Sequence, residues 1–264
     1  MQNPIEQRYF INSLARGFKL LEKLAEAGEP LTLSQIAKSM EMTLPTAYRF
    51  LYTLQAIELI EKEPDRKAYQ ITPKVLKLGY GVFRSSELWN TAHPYLVRAS
   101  KKYGETFNLA ILENDQILYI DRIKTQSILT INLEIGSKLP AYCTSMGRVL
   151  LAWLPREEAR RRLKRTPRKK HTDATTTKLD ALLSILKDVR KDGYATNKGE
   201  LAPELYSAAA PVLNRQGCAV AALNMAVNAS GHEPDYLDGI MVPAVVEWAG
   251  RISSAMGYFK DEDR

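Results

Sequence analysis

Histidine and cysteine are nearly missing from this chain, whose 264 residues hold three His and two Cys. His93, His171 and His232 stand far apart, and Cys143 and Cys218 match no metal-ligand spacing, so neither a metal nor any other cofactor is expected. The usual signatures of catalysis are missing with them: there is no GxSxG, no HExxH and no glycine-rich phosphate loop. Cys143 beside Thr144 has the look of a nucleophile, but nothing near it in sequence supplies a base. An enzyme is therefore not expected. Long apolar runs are absent too, since none approaches the roughly 18 residues of a membrane span, and MQNPIEQRYF lacks the apolar stretch of a secretory signal. The expectation is a cytoplasmic protein with free thiols and no membrane contact.

Positive charge is scarce where nucleic-acid binding would first be sought. The net charge is +7, but residues 1–80 carry only +2, while residues 156–170 carry +7 from nine Lys or Arg against Glu157 and Glu158. That basic stretch reads as a short surface helix after Pro155 running into a polar loop, a solvated face. DNA binding has to be argued from pattern. The length suits two domains, and 45% hydrophobic with 25% charged residues is an ordinary globular balance.

The N-terminal pattern is helical. Ser13 can cap a helix with Leu14, Phe18, Leu21, Leu24 and Ala25 on one face, ended by Gly28 and Pro30. Thr32-Leu33-Ser34-Gln35 has the form of a capping box opening a short helix to Met40. Thr43 then caps a third helix, with Pro45 tolerated in its first turn. Ala47, Leu51 and Leu54 form its inward stripe, and Pro45, Thr46, Tyr48, Arg49, Tyr52 and Thr53 its outer face. A short polar face with one Arg suits the major groove: Thr46 and Arg49 reach base edges, Tyr48 and Thr53 suit phosphates. Glu58–Glu61 and Ala68–Thr72 alternate as two strands around Pro64-Asp65-Arg66-Lys67, a wing whose Arg66 and Lys67 reach phosphates or the minor groove. A protein-interaction domain would show the same elements.

Lys74 to about Thr91 carries Val75, Leu78, Val82 and Phe83 at helical spacing, a connecting helix of the kind that often mediates dimers. From Thr106 the period becomes two. FNLAILEND and QILYIDRI read as a hairpin around Asn114-Asp115, and ILTINLEIG as a third strand. A helix over Leu179–Asp192 closes at Gly193, and strands follow at Tyr194–Thr196, Leu205–Val212 and Cys218–Val227. The final helix runs through Trp248 and Ile252, with Pro243 near its start. The class is α+β, an antiparallel sheet with flanking helices. Between these elements, Ala141 to Gly147 is a small-residue loop leading into a helix over Met146–Leu154. Thr144 and Ser145 can cap it and offer hydroxyls, its free N–H groups make an anion site suited to a carboxylate, and Gly147 lets backbone come close to a ligand. An ordinary capped helix gives the same pattern.

SLARGFKLLEKLAEAG, LTLSQIAKSM, TLPTAYRFLYTL and YQITPKVLKLGYG resemble, in order and spacing, the DNA-binding domain of the isocitrate lyase regulator (IclR) family. LPAYCTSMGRVLLAWLP and GYATNKGELAPELYSAAAPVLNRQGCAVAALNMAV resemble the two signature stretches of its GAF-like effector domain. The resemblance implies a winged helix-turn-helix over 1–73, a linker helix over 74–91 and an effector domain over 92–264. It implies a transcriptional regulator acting on an inverted-repeat operator as a homodimer or dimer of dimers, with RNA polymerase a further candidate partner. It also implies that Asn197, Ser207, Asn224 and Ala226 contact the effector, a small carboxylic acid, beside Thr144, Ser145, Met146 and Gly147. AYCTSMGRVLL is especially similar to the subgroup controlling protocatechuate, 4-hydroxybenzoate and β-ketoadipate catabolism, which points to an aromatic acid or a metabolite of that pathway. Leu109, Tyr119 and Met225 are candidates for apolar wall, subject to strand register. Departures are Glu41 and Glu58 where the family commonly has Gly, costing about 1 kcal/mol each if φ is positive there. Ala226 replaces a frequent hydroxyl residue and Glu204 a common Gly. A winged-helix adaptor without a ligand is the alternative.

Overall fold

The computed structural model describes residues 9–125, 133–233 and 235–259, side chains at 80 and 82–85 excepted. The chain divides into two compact units, one up to Ser85 and one from Ser86.

In the first unit, helix α1 (Asn12–Ala27) starts one residue before Ser13, with Ile11 at its cap and no side-chain cap. Leu20, Leu21 and Leu24 are its buried residues, while Leu14 and Phe18 of the expected stripe are more than half exposed. The inward face is therefore narrower than the apolar spacing suggested. Strand β1 (Leu31–Thr32) leads into α2 (Leu33–Ser39) through a complete capping box: Gln35 N–H donates to Thr32 Oγ1, and Thr32 N–H donates to Gln35 Oε1 at 2.8 Å. Helix α3 (Leu44–Ala56) is capped by Thr43 and buries Ala47, Leu51 and Leu54. Strands β2 (Ile60–Glu63) and β3 (Ala68–Ile71) pair antiparallel, and β1 joins the other edge of β3 in the order β1-β3-β2.

Two of this unit's helices end on a non-glycine residue in the left-handed region. Glu41 has φ 51° after α2 and Glu58 has φ 61° after α3. Each closes its helix with a return bond, Met42 N–H to Ala37 O at 2.9 Å and Leu59 N–H to Leu54 O at 3.0 Å. That is where glycine normally ends a helix.

The connector is two helices, not one. A turn over Pro73–Val75 opens α4 (Leu76–Ser85); Ser86 then accepts from Trp89 N–H at 3.1 Å and starts α5 (Glu87–Tyr103). Ser86 is a good N-cap, and its extended backbone interrupts the helical run expected through Thr91. The stripe positions Val82 and Phe83 lie outside the described side chains.

The second unit holds a six-stranded antiparallel sheet, ordered β6-β5-β4-β9-β8-β7, with β4 (Thr106–Glu113), β5 (Gln116–Ile123), β6 (Lys138–Pro140), β7 (Ala195–Lys198), β8 (Leu205–Leu213) and β9 (Ala219–Asn228). Much of the expected strand ILTINLEIG lies outside the described residues; its end, Leu133–Gly136, is not strand. Helices cover both faces. On one, α5 and the final helix α9 (Val242–Ala255) pack on Phe107, Leu109, Leu223 and Met225; on the other, α6 (Ser145–Ala152) and α8 (Leu179–Asp192) pack on Ala110, Ile117, Ala209 and Ala222. The alternation of side chains along each strand feeds both cores. Helix α7 (Arg156–Arg165) is the basic segment. Two of its cations bond within this unit, Arg162 to Glu158 and to Asn114 O and Arg161 to Glu158, and beyond the helix Arg168 reaches Thr177 O. Among the described residues no helix is long and apolar enough to cross a membrane.

Candidate functional site

Four neighbouring strands put polar residues in two adjacent rows on the α6 side of the sheet. Asn197 pairs in register with Ser207, Ser207 with Ala226, and Asn224 with Asn108. Above these rows stands the start of α6, and between them lies a pocket. Thr144, Ser145, Met146, Asn197, Ser207, Asn224 and Ala226 all line it, with Tyr119, Leu139, Leu201 and Leu205 as apolar wall. Polar groups converging between apolar walls are the usual make-up of a small-molecule site.

The polar residues divide by what they already bond. Thr144 Oγ1 accepts from Gly147 N–H at 3.2 Å and donates to Pro140 O at 3.1 Å. Asn197 Nδ2 donates to Cys143 O at 2.7 Å, while its Oδ1 accepts from Glu200 N–H. These two therefore build the wall. Ser145 Oγ and Ser207 Oγ lie 2.8 Å apart, bridging helix and sheet at the pocket itself. Behind the wall, Arg148 and Glu200 form a buried two-armed ion pair at 2.6 and 2.7 Å, and Arg148 Nε also donates to Tyr142 O. The pair ties α6 to the segment that carries Leu201 and Leu205.

Three expectations need correction. Gly147 does not line the pocket. A Cβ there would lie 2.2 Å from Ala141 O, so glycine is required by the turn packing on α6 and not by an approaching ligand. Leu109 and Met225 belong to the opposite core, with α5 and α9, because strand alternation turns them away from Asn108 and Asn224. Tyr119 does face the pocket, and burial pushes its hydroxyl well above the usual range. Cys143 also lines it, but burial raises the thiol to about 11, which leaves no thiolate to act as a nucleophile at neutral pH.

Two polar pocket residues were not foreseen, Asn108 and Arg122, and neither were Leu133, Leu139, Cys143, Leu201 and Leu205. Strand β5 has an irregularity opposite Leu109/Ala110, where Asp121 pairs with Leu109 and Tyr119 with Ala110, leaving Ile120 as an extra residue. A bulge of this kind reverses the alternation beyond it, so Arg122 points to the same face as Tyr119 three positions earlier. Burial lowers the Arg122 guanidinium from its ordinary value.

In the first unit, Thr43, Pro45, Tyr48, Arg49 and Thr53 are exposed on α3 and its cap, and Thr46 is half-buried. Thr46 and Thr43 hydroxyls bond each other at 2.9 Å, and Thr53 donates to Arg49 O at 2.9 Å, so neither Thr46 nor Thr53 has a wholly free hydroxyl. Arg66 and Lys67 are exposed in the β2–β3 turn, Lys67 with φ 50°.

Comparison with known proteins decides the family. Residues 13–64 match the IclR helix-turn-helix domain and residues 81–254 match the C-terminal domain of IclR bacterial transcriptional regulators. The chain belongs to the IclR family. It is 37% identical over 220 residues to the Pca regulon regulatory protein of Pseudomonas putida, covering 83% of this chain and 75% of that one. With the transcriptional regulator KdgR of Escherichia coli K12 it shares 30% over 249 residues, 94% of each chain. A crystal structure of a putative transcriptional regulator from Rhodococcus sp. RHA1 superposes with TM-score 0.83 at 34% identity, covering 94% of this chain and 99% of that one. As an IclR-family member the chain is a transcriptional regulator and not an enzyme, built from a helix-turn-helix unit and an α+β unit.

Proposed function

We propose that this IclR-family regulator binds an operator through residues 1–73 and senses a small aromatic acid through residues 92–264, with 74–91 as connector. The observation that carries the reading is the pair of polar rows, Asn108 with Asn224 and Ser207 with Asn197, facing the start of α6 across a pocket walled by leucines. The carboxylate sits at the α6 N-terminus, held by first-turn N–H groups and by Ser145. Ala226, in register with Ser207, leaves part of the floor apolar, which favours a ring over a two- or three-carbon acid. The likeness to the Pca regulon regulatory protein, and the AYCTSMGRVLL wording, support the aromatic class. The active species is a cytoplasmic homodimer or dimer of dimers on an inverted repeat, with half-sites about one helical turn apart. Tyr48 and Arg49 on α3 and Arg66 and Lys67 in the wing supply the contacts, supported by Thr43, Pro45, Thr46 and Thr53.

Fluorescence anisotropy with promoter DNA and with random DNA at matched salt tests this directly. The reading requires tighter binding to the promoter fragment and a change in that affinity on adding 4-hydroxybenzoate or protocatechuate. Equal affinity for both DNAs contradicts the regulator assignment; an unaltered promoter affinity with both acids contradicts the effector assignment.

A further inference from the structure

Asn108 is 1% exposed, and its amide donates from Nδ2 to Asn224 Oδ1 at 2.7 Å, yet its own Oδ1 is buried without a hydrogen bond. Directly opposite it in the β4–β5 register is Arg122, whose Nε is likewise buried without a hydrogen bond. Both residues line the pocket. A buried acceptor and a buried donor, side by side and both unpaired, cost stability in the ligand-free protein unless the site serves a partner.

We propose that Asn108 and Arg122 form a hydroxyl-reading subsite, so that the effector is a hydroxylated monocarboxylic acid. This rests on the aromatic-acid reading above and narrows it. A hydroxyl accepts from Arg122 Nε–H and donates to Asn108 Oδ1 with one oxygen atom. A methoxy group or a halogen lacks the donor. A second carboxylate satisfies Arg122 but sets its negative oxygens against the Asn108 Oδ1 lone pairs. Among the described residues Arg122 is the only charged side chain in the lining, so a dicarboxylate meets no second cation there.

The β5 bulge is what builds this subsite. Regular pleating beyond Tyr119 would send Arg122 toward α5 and leave Asn108 facing Asp121.

Isothermal titration of the full chain with benzoate, terephthalate, 3- and 4-hydroxybenzoate and the matching methoxybenzoates tests the proposal. For the better-placed isomer, the hydroxy acid should bind about tenfold or more tighter than its methoxy partner and than benzoate, and terephthalate should bind more weakly than that hydroxy acid. In Arg122→Met the ratio between hydroxy and methoxy acids should fall toward one. Arg122 is half-buried, and a melting curve checks that the variant folds; the wild-type series stands without it. If benzoate binds but hydroxylation adds nothing, or if the hydroxy preference survives Arg122→Met, the subsite is overturned while the aromatic reading holds. If none of these acids binds, the aromatic reading fails and the subsite falls with it.

Discussion

The hydroxyls of Ser145 and Ser207 meet at 2.8 Å, joining the first residue of α6 to strand β8 across the pocket. Ser145→Val removes one of them, strands the other and adds two methyl groups at the helix start. Binding of an aromatic acid should weaken by about 1–3 kcal/mol in calorimetry. The ligand-free variant should still bind promoter DNA, since the proposed operator contacts lie in the other unit. Unchanged acid affinity would move the carboxylate site away from α6.

The Arg148–Glu200 pair is buried on both sides, so removing one partner leaves a charge without its counterion. Glu200→Gln should cost about 3–5 kcal/mol and lower the melting temperature by about 10 °C. The double variant Arg148→Met, Glu200→Leu should lose less than Glu200→Gln alone. A double variant at least as unstable as the single one would mean that the pair's hydrogen bonds, and not its charges, hold the wall.

Glu41 pays for its positive φ with backbone strain that glycine does not have. Glu41→Gly should therefore stabilise the N-terminal unit by about 1 kcal/mol in chemical denaturation. Glu58→Gly should gain less, because the Glu58 carboxylate accepts from Lys74 Nζ at 2.8 Å and glycine deletes that contact. Lys74 holds the Glu58 carboxyl below its ordinary value, so the contact contributes above the carboxylate range and is lost as pH falls through it. The gap between the two variants should close in acid. A gap that persists below that range would need a cause other than the Lys74 contact.

Arg49 is exposed on α3 and is the helix's only basic residue. Arg49→Ala should cost about 1–3 kcal/mol in promoter binding, measured by anisotropy at fixed salt, with the melting temperature and the acid affinity near wild type. Wild-type promoter affinity in a folded variant would shift base reading to Tyr48 and the wing.

Local rules of sequence carried much of this molecule. The Thr32/Gln35 box, the Thr43 cap, the inward trio on α3 and the span of α8 all depend on neighbours a few residues apart, and they are where spacing puts them. The left-handed turns at Glu41 and Glu58 were visible only as departures from a family pattern, because glutamate by itself gives no sign of positive φ. Three features depended on distant partners and were not legible. Leu14 and Phe18 have the spacing of core residues yet stay exposed, Gly147 answers to the Ala141 backbone, and Arg122 reaches the pocket through a bulge that no alternation pattern announces. The Ser86 cap was readable in principle, as a serine in the middle of an apolar helical run, but helical spacing on both sides masks it.

The central claim is that an organic anion occupies the pocket between α6 and the polar rows of the sheet. Melting of the full chain with 4-hydroxybenzoate and with its methyl ester, each over the same concentration series, tests it most directly. At about 100 times the dissociation constant the acid should stabilise the folded protein by roughly 2.7 kcal/mol, and the ester, which lacks the negative charge, should do much less. Equal shifts from acid and ester would contradict the anion site at the start of α6.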